Sequence, residues 1–94
     1  MYKINEELSE LITRKYDKTG LIISIEECSE LQKTITKYLR GKGDYENICE
    51  EMADVIICLD WLQHILDIKN EDIQKWIEYK TERTLGRIQE GVFK

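Results

Sequence analysis

No proline occurs anywhere in the chain, so nothing along its 94 residues forces a helix to break from within. The five glycines fall mostly where helical patterns end. Apolar residues recur at three- and four-residue intervals, and no run alternates apolar with polar in the way a half-buried strand requires. The expectation is an all-α fold: one domain over residues 1–94, built as a four-helix bundle.

A first helix is expected from about Asn5 to Asp17, with Leu8, Leu11, Ile12 and Tyr16 on one stripe and a break at Lys18-Thr19-Gly20. A second should begin between Thr19 and Ile22 and run to Arg40, its apolar face made by Leu21, Ile25, Cys28, Leu31, Ile35, Tyr38 and Leu39. Gly41-Lys42-Gly43-Asp44 supplies turn residues, and Asp44 is suited to cap the third helix, from Tyr45 to Leu66. That helix places Ile48, Met52, Val55, Ile56, Leu59 and Leu62 on its main face and Ile57, Cys58, Trp61 and Ile65 on other sides. A helix apolar nearly all round is buried on two sides, by its own chain and by a partner subunit. A fourth helix, capped by Asn70, should open on Glu71 and Asp72 and continue to Glu90 before Gly91.

A domain this small leaves much of its apolar surface uncovered as a monomer, and 41% hydrophobic content therefore points to association. The 19 acidic and 14 basic residues give a net charge of −5, which offers no broad positive surface to nucleic acid. Cys28, Cys49 and Cys58 are odd in number, lack C-x-x-C spacing and fit small apolar helix positions, as in a reduced, cytoplasmic protein. Neither a signal peptide nor a membrane span is expected, because acids or Gln interrupt every apolar stretch.

The chemistry-bearing pattern is Glu26-Glu27-Cys28-Ser29-Glu30 on the second helix and Glu50-Glu51-Met52-Ala53-Asp54 on the third. Positions three apart lie roughly 60° apart around a helix and one turn along it, so Glu27 converges with Glu30, and Glu51 with Asp54. Each pair is about equally far from the hairpin turn, which sets Glu27 level with Asp54 and Glu30 level with Glu51. Four carboxylates gathered at one depth repel one another unless cations hold them. Hard, oxygen-preferring Mg²⁺ is the natural occupant, with Mn²⁺ an alternative, and such an ion clamps phosphates. Against this stands the plain reading that a chain with 35% charged residues solvates its helices with acid pairs; two pairs in register across one short hairpin favour the metal.

These segments resemble the signature of the MazG-like all-α nucleoside triphosphate pyrophosphohydrolases, Glu-Glu-x-x-Glu followed at a variable distance by Glu-x-x-Asp. The motif segment covers about a third of the chain. The resemblance implies metal ligands at Glu27, Glu30, Glu51 and Asp54, with Glu26 orienting water or a second ion. It further implies hydrolysis of a nucleoside triphosphate between the α- and β-phosphates, usually with Mg²⁺. A homodimer or homotetramer, in which neighbouring chains complete the bundle, is also implied.

Lys80, Arg83 and Arg87 share one side of the fourth helix. Lys80-Thr81-Glu82-Arg83 is similar to the Lys-x-Glu-Arg segment of longer MazG proteins, which makes Lys80 and Arg83 the candidate phosphate contacts; Glu78 stands where that family often has Asn. Arg87 fits a solvated helix end. Trp61 and Trp76 are large enough to stack on a base but fit core or interface positions better. His64, with no Glu-x-x-His, lacks the setting of a di-iron ligand and reads as packed or surface. The competing function is a non-catalytic helical interaction module or a nucleotide-binding regulator of the same fold.

Overall fold

The computed structural model describes residues 2–92, and its regular structure is entirely helical: α1 (Glu6–Lys15), α2 (Asp17–Leu39), α3 (Tyr45–Ile65) and α4 (Asn70–Gln89), with no strand among the described residues. The principal packing is between α2 and α3, with α1 laid against α3 and, less extensively, against α2. None of the described helices is long and apolar enough to cross a membrane.

Local chemistry sets the helix ends. Asn5 Oδ1 accepts the Leu8 N–H at 2.8 Å and Asp44 Oδ1 accepts the Glu46 N–H at 3.2 Å, each satisfying a donor that the first turn leaves free. After α2 the chain reverses through Gly41 at φ +76°, with the Lys42 N–H returning to Lys37 O at 2.9 Å. Gly43 is held to glycine by crowding: a Cβ there would stand 2.9 Å from the Cα of Tyr38.

Three sequence expectations are corrected. The break at Lys18-Thr19-Gly20 does not exist; the chain turns earlier, at Tyr16 (φ −138°, ψ 36°), and α2 starts at Asp17. Gly20 lies inside α2 because α1 and α3 both close over it, leaving a Cβ only 2.8 Å from Ile12 Cγ2 and 3.0 Å from Ile65 Cδ1. Asn70 is the first residue of α4 rather than its cap, and its Oδ1 accepts from Gln63 Nε2 of α3 instead.

The third correction concerns the core. The buried residues of α2 are Gly20, Ser24 and Thr34, so α2 approaches its neighbours through small side chains. The expected face residues Ile25 and Leu39 are 71% and 77% exposed, and on α3 Met52 and Leu59 are 44% and 55% exposed. Cys58 is buried as expected, whereas Cys28 and Cys49 are exposed. At the α1–α3 contact the fully buried Ser9 hydroxyl donates to Asp60 Oδ2 at 2.5 Å. The fourth helix buries none of its residues and packs on none of the other three. Within one chain α1, α2 and α3 pack together and α4 lies outside them.

Candidate metal centre

Glu27 sits on the face of α2 turned toward α3, between buried Ser24 and half-buried Leu31. Glu51 and Asp54 lie one turn apart on the facing side of α3. All three are half-buried, and one carboxylate oxygen from each falls within 4.8 Å of the others. The antiparallel hairpin produces this meeting, and one turn deeper the buried Ser24 and Cys58 lie beneath it, the Ser24 hydroxyl donating to Gly20 O at 2.8 Å.

The cluster is electrostatically uncomfortable. Burial raises the Glu27 carboxyl above its ordinary 4.5, and a hydrogen bond with Asp54 and the charges of Asp54, Glu51 and Glu30 raise it further. Burial likewise raises Glu51 above 4.5, with Asp54, Glu30 and Glu50 adding to the effect. Every charged neighbour acting on these two groups is itself an acid. One Glu51 oxygen, Oε2, is buried with no hydrogen-bond partner, which leaves a desolvated lone pair where polar atoms are ordinarily satisfied. Burial also pushes the Cys58 thiol up, partly offset by Ser24, so this cysteine is a packed, protonated floor to the site.

An all-oxygen set of three carboxylates suits a hard divalent cation. Oxygens about 2.1 Å from one Mg²⁺ stand up to roughly 4.2 Å apart, and the three carboxylate oxygens already lie within 4.8 Å of one another. A cation there would supply the partner that Glu51 Oε2 lacks and relieve the mutual repulsion, so the residues fit the group.

The remaining sequence candidates are placed differently. Glu30 stays outside the convergent set and pairs with Lys33, Nζ to Oε1 at 3.3 Å. Glu26 is exposed beside Glu27. Lys80 and Arg83 lie on α4, away from the carboxylates of the same chain; the Arg83 guanidinium lies over the Tyr79 ring at 5.9 Å, and Lys80 borders a shallow groove with Ile73, Trp76 and Ile77. Trp76 is exposed and meets Tyr79 edge to face at 5.8 Å. Trp61 is half-buried near Gly20, its indole Nε1 buried without a partner. The imidazole Nδ1 of His64 is 2.9 Å from the Asp60 carbonyl oxygen and 3.5 Å from its Oδ2, a packing role. Two polar residues carry weight that the sequence reading passed over: Ser9, which no local pattern marks, and Lys33, whose i+3 spacing from Glu30 was a legible signal.

No protein-family model, curated protein or solved structure matches the chain.

Proposed function

We propose that the protein is a Mg²⁺-dependent nucleoside triphosphate pyrophosphohydrolase, with Mn²⁺ an alternative ion, releasing nucleoside monophosphate and pyrophosphate. The observation that carries this proposal is the meeting of Glu27, Glu51 and Asp54 from two facing helices within 4.8 Å, with an unpartnered buried oxygen on Glu51. A divalent ion bound here supplies charge neutralisation for phosphate oxygens and lowers the pKa of water. The chain's own part is positional. Glu51 and Asp54 would hold the ion from α3 and Glu27 from α2, above the buried Ser24 and Cys58. Glu26, exposed one residue before Glu27, is the carboxylate left to receive a proton from the attacking water. No covalent nucleophile is required, since phosphoryl transfer of this type rests on positioning and electrostatics.

The proposal extends to assembly. Lys80 and Arg83 do not reach the carboxylates of their own chain, and the apolar side of α4 is uncovered; a homodimer or homotetramer supplies both the cover and a route for these cations to a neighbouring site. The net charge of −5 argues against a nucleic-acid partner, and three free cysteines suit a cytoplasmic setting. The uncovered surface also favours a second reading, an interaction or regulatory module that holds nucleotide without turnover.

Incubation with a panel of nucleoside triphosphates and Mg²⁺, with chromatographic identification of products, separates the two. Monophosphate plus pyrophosphate, lost by a factor of about 10² or more in Glu51→Gln and Asp54→Asn, is the expected result. Absence of turnover with every nucleotide and either metal overturns the enzyme and leaves the module.

A further inference from the structure

Resting on the homo-oligomer that the uncovered apolar surface calls for, we propose that the side of the α2–α3 hairpin turned away from α1 is where two copies of this chain pair, hairpin on hairpin, about a two-fold axis.

Both helices carry a second apolar seam beside the one that joins them. On α2 it runs through Leu21, Ile25, Cys28, Gln32, Ile35 and Leu39, in alternating steps of four and three. On α3 it runs through Tyr45, Ile48, Met52, Val55, Leu59 and Leu62, in alternating steps of three and four. This spacing keeps a stripe straight along a helix and is the pattern of packed bundle seams. Neither seam holds a charged residue, in a chain that is 35% charged. Each lies roughly 100° round its helix from the residues that face the other helix, Gly20, Ser24 and Glu27 on α2 and Asp54, Cys58 and Ile65 on α3. The rotation has the same sense on both, and because the helices run antiparallel the two seams emerge on one side of the hairpin. Gly20 beside Ile65 and Glu27 opposite Asp54 set the register, which levels Leu21 with Leu62, Cys28 with Val55 and Gln32 with Met52. The first helix leaves this side open, since its Ser9 bonds Asp60, about 120° round α3 from the seam. Ile25, Ile35, Leu39, Tyr45, Met52 and Leu59 are accordingly between 44% and 77% exposed.

A second copy is the occupant that fits. The paired seams extend ~27 Å along two helices ~9 Å apart, a footprint of ~500 Å² on each copy and ~1,000 Å² in all, which reaches the size of a stable interface. A two-fold axis between the Cys28 and Gln32 layers lays seam on seam with no layer unmatched. A lone helix from another protein would cover only the groove between the seams. The product is a four-helix core in which Gln32, the single amide of the α2 seam, sets the register. The fourth helix is then left to join such pairs into a larger assembly.

The wild-type chain carries its own probes. Cys28 sits beside the midpoint of this face, whereas exposed Cys49 lies about 100° round α3 from the seam, in the groove bounded by Tyr2, Lys3 and Ile4. Maleimide labelling, digestion and mass analysis read the two thiols separately, with sedimentation run on the same samples. Where the chain sediments as an oligomer, Cys28 should react about tenfold or more slowly than in monomer reached by dilution, and Cys49 alike in both. Ile35→Lys with Leu59→Lys, at positions exposed on the single chain, should give the fast Cys28 rate without dilution and lower the mass while helicity is kept. Trp76→Glu with Ile77→Glu should leave Cys28 slow and take the mass no lower than a dimer's. A fast Cys28 in that α4 variant means that the partner's α4 covers the face, and it overturns the hairpin pairing. A fast Cys28 in the wild-type oligomer overturns this surface alone, whereas a monomer mass at every concentration overturns the oligomer with it. If the lysine variant does not fold, the dilution series decides. No metal or nucleotide enters the readout, so its outcome is separate from that of the hydrolysis assay.

Discussion

Crowded acids have a measurable cost at the level of single residues. In the metal-free chain Glu27 and Glu51 are both held above 4.5. A carboxyl whose pKa is raised by folding contributes stability in full below its unfolded value, and that contribution disappears as pH climbs through the raised value. The thermal midpoint measured in a chelator should therefore fall between about pH 4.5 and neutrality. Glu51→Gln, which cannot ionise, should show a shallower fall over the same window and a higher midpoint at pH 7. Saturating Mg²⁺ should raise the wild-type midpoint at pH 7 and leave that of Glu51→Gln nearly unmoved. Away from the site, Ser9→Ala strips the half-buried Asp60 carboxylate of its 2.5 Å donor. A loss of about 1–3 kcal/mol in denaturant unfolding is expected.

Two glycines show how the same substitution reverses sign with context at the level of elements. Gly86 lies in α4 with nothing within 4 Å of a prospective Cβ. Gly86→Ala should stabilise α4 by up to about 1 kcal/mol through helix propensity alone, visible as added helicity in circular dichroism. Gly20 is also helical, but its Cβ would press on the β-branched Ile12 and on Ile65. Overpacking of this kind costs about 1–3 kcal/mol, which exceeds the propensity gain of roughly 1. Gly20→Ala should accordingly lower the unfolding free energy and loosen α1, which is held over α2 at this point.

The dimensions of the whole molecule point outward. The radius of gyration is 16.1 Å, against about 12 Å for a compact domain of this length. The excess comes from α4, which stands off the three packed helices, and many large apolar side chains remain open, Trp76 at 56% and Ile77 at 52% among them. Small proteins rarely leave so much apolar surface wet without a partner. Sedimentation at micromolar concentration should therefore give the mass of a dimer or tetramer, and a monomer mass would remove the proposed route by which Lys80 and Arg83 reach a site. Introducing charge at exposed Trp76 and Ile77, as Trp76→Glu with Ile77→Glu, should shift that mass downward while α1 to α3 remain helical.

Periodicity, end chemistry and the absence of proline were enough to determine four helices, the Gly41–Asp44 turn and the pairing of α2 with α3, because these depend on interactions within a few residues. The level at which Glu27 meets Asp54 was legible for the same reason: a short turn fixes the register of a helical hairpin. What only the tertiary structure decided was which side of each helix turned inward. Ser24 and Thr34 are buried where Ile25 and Leu39 are not, since close approach of two helix backbones selects small residues whatever their polarity. The same packing drew Gly20 into a helix, joined Ser9 to a residue 51 positions away and left α4 outside. Glu30 pairs with Lys33 and stands outside the three convergent acids. Spacing along a helix fixes where a side chain starts, and nearby charges fix where it ends.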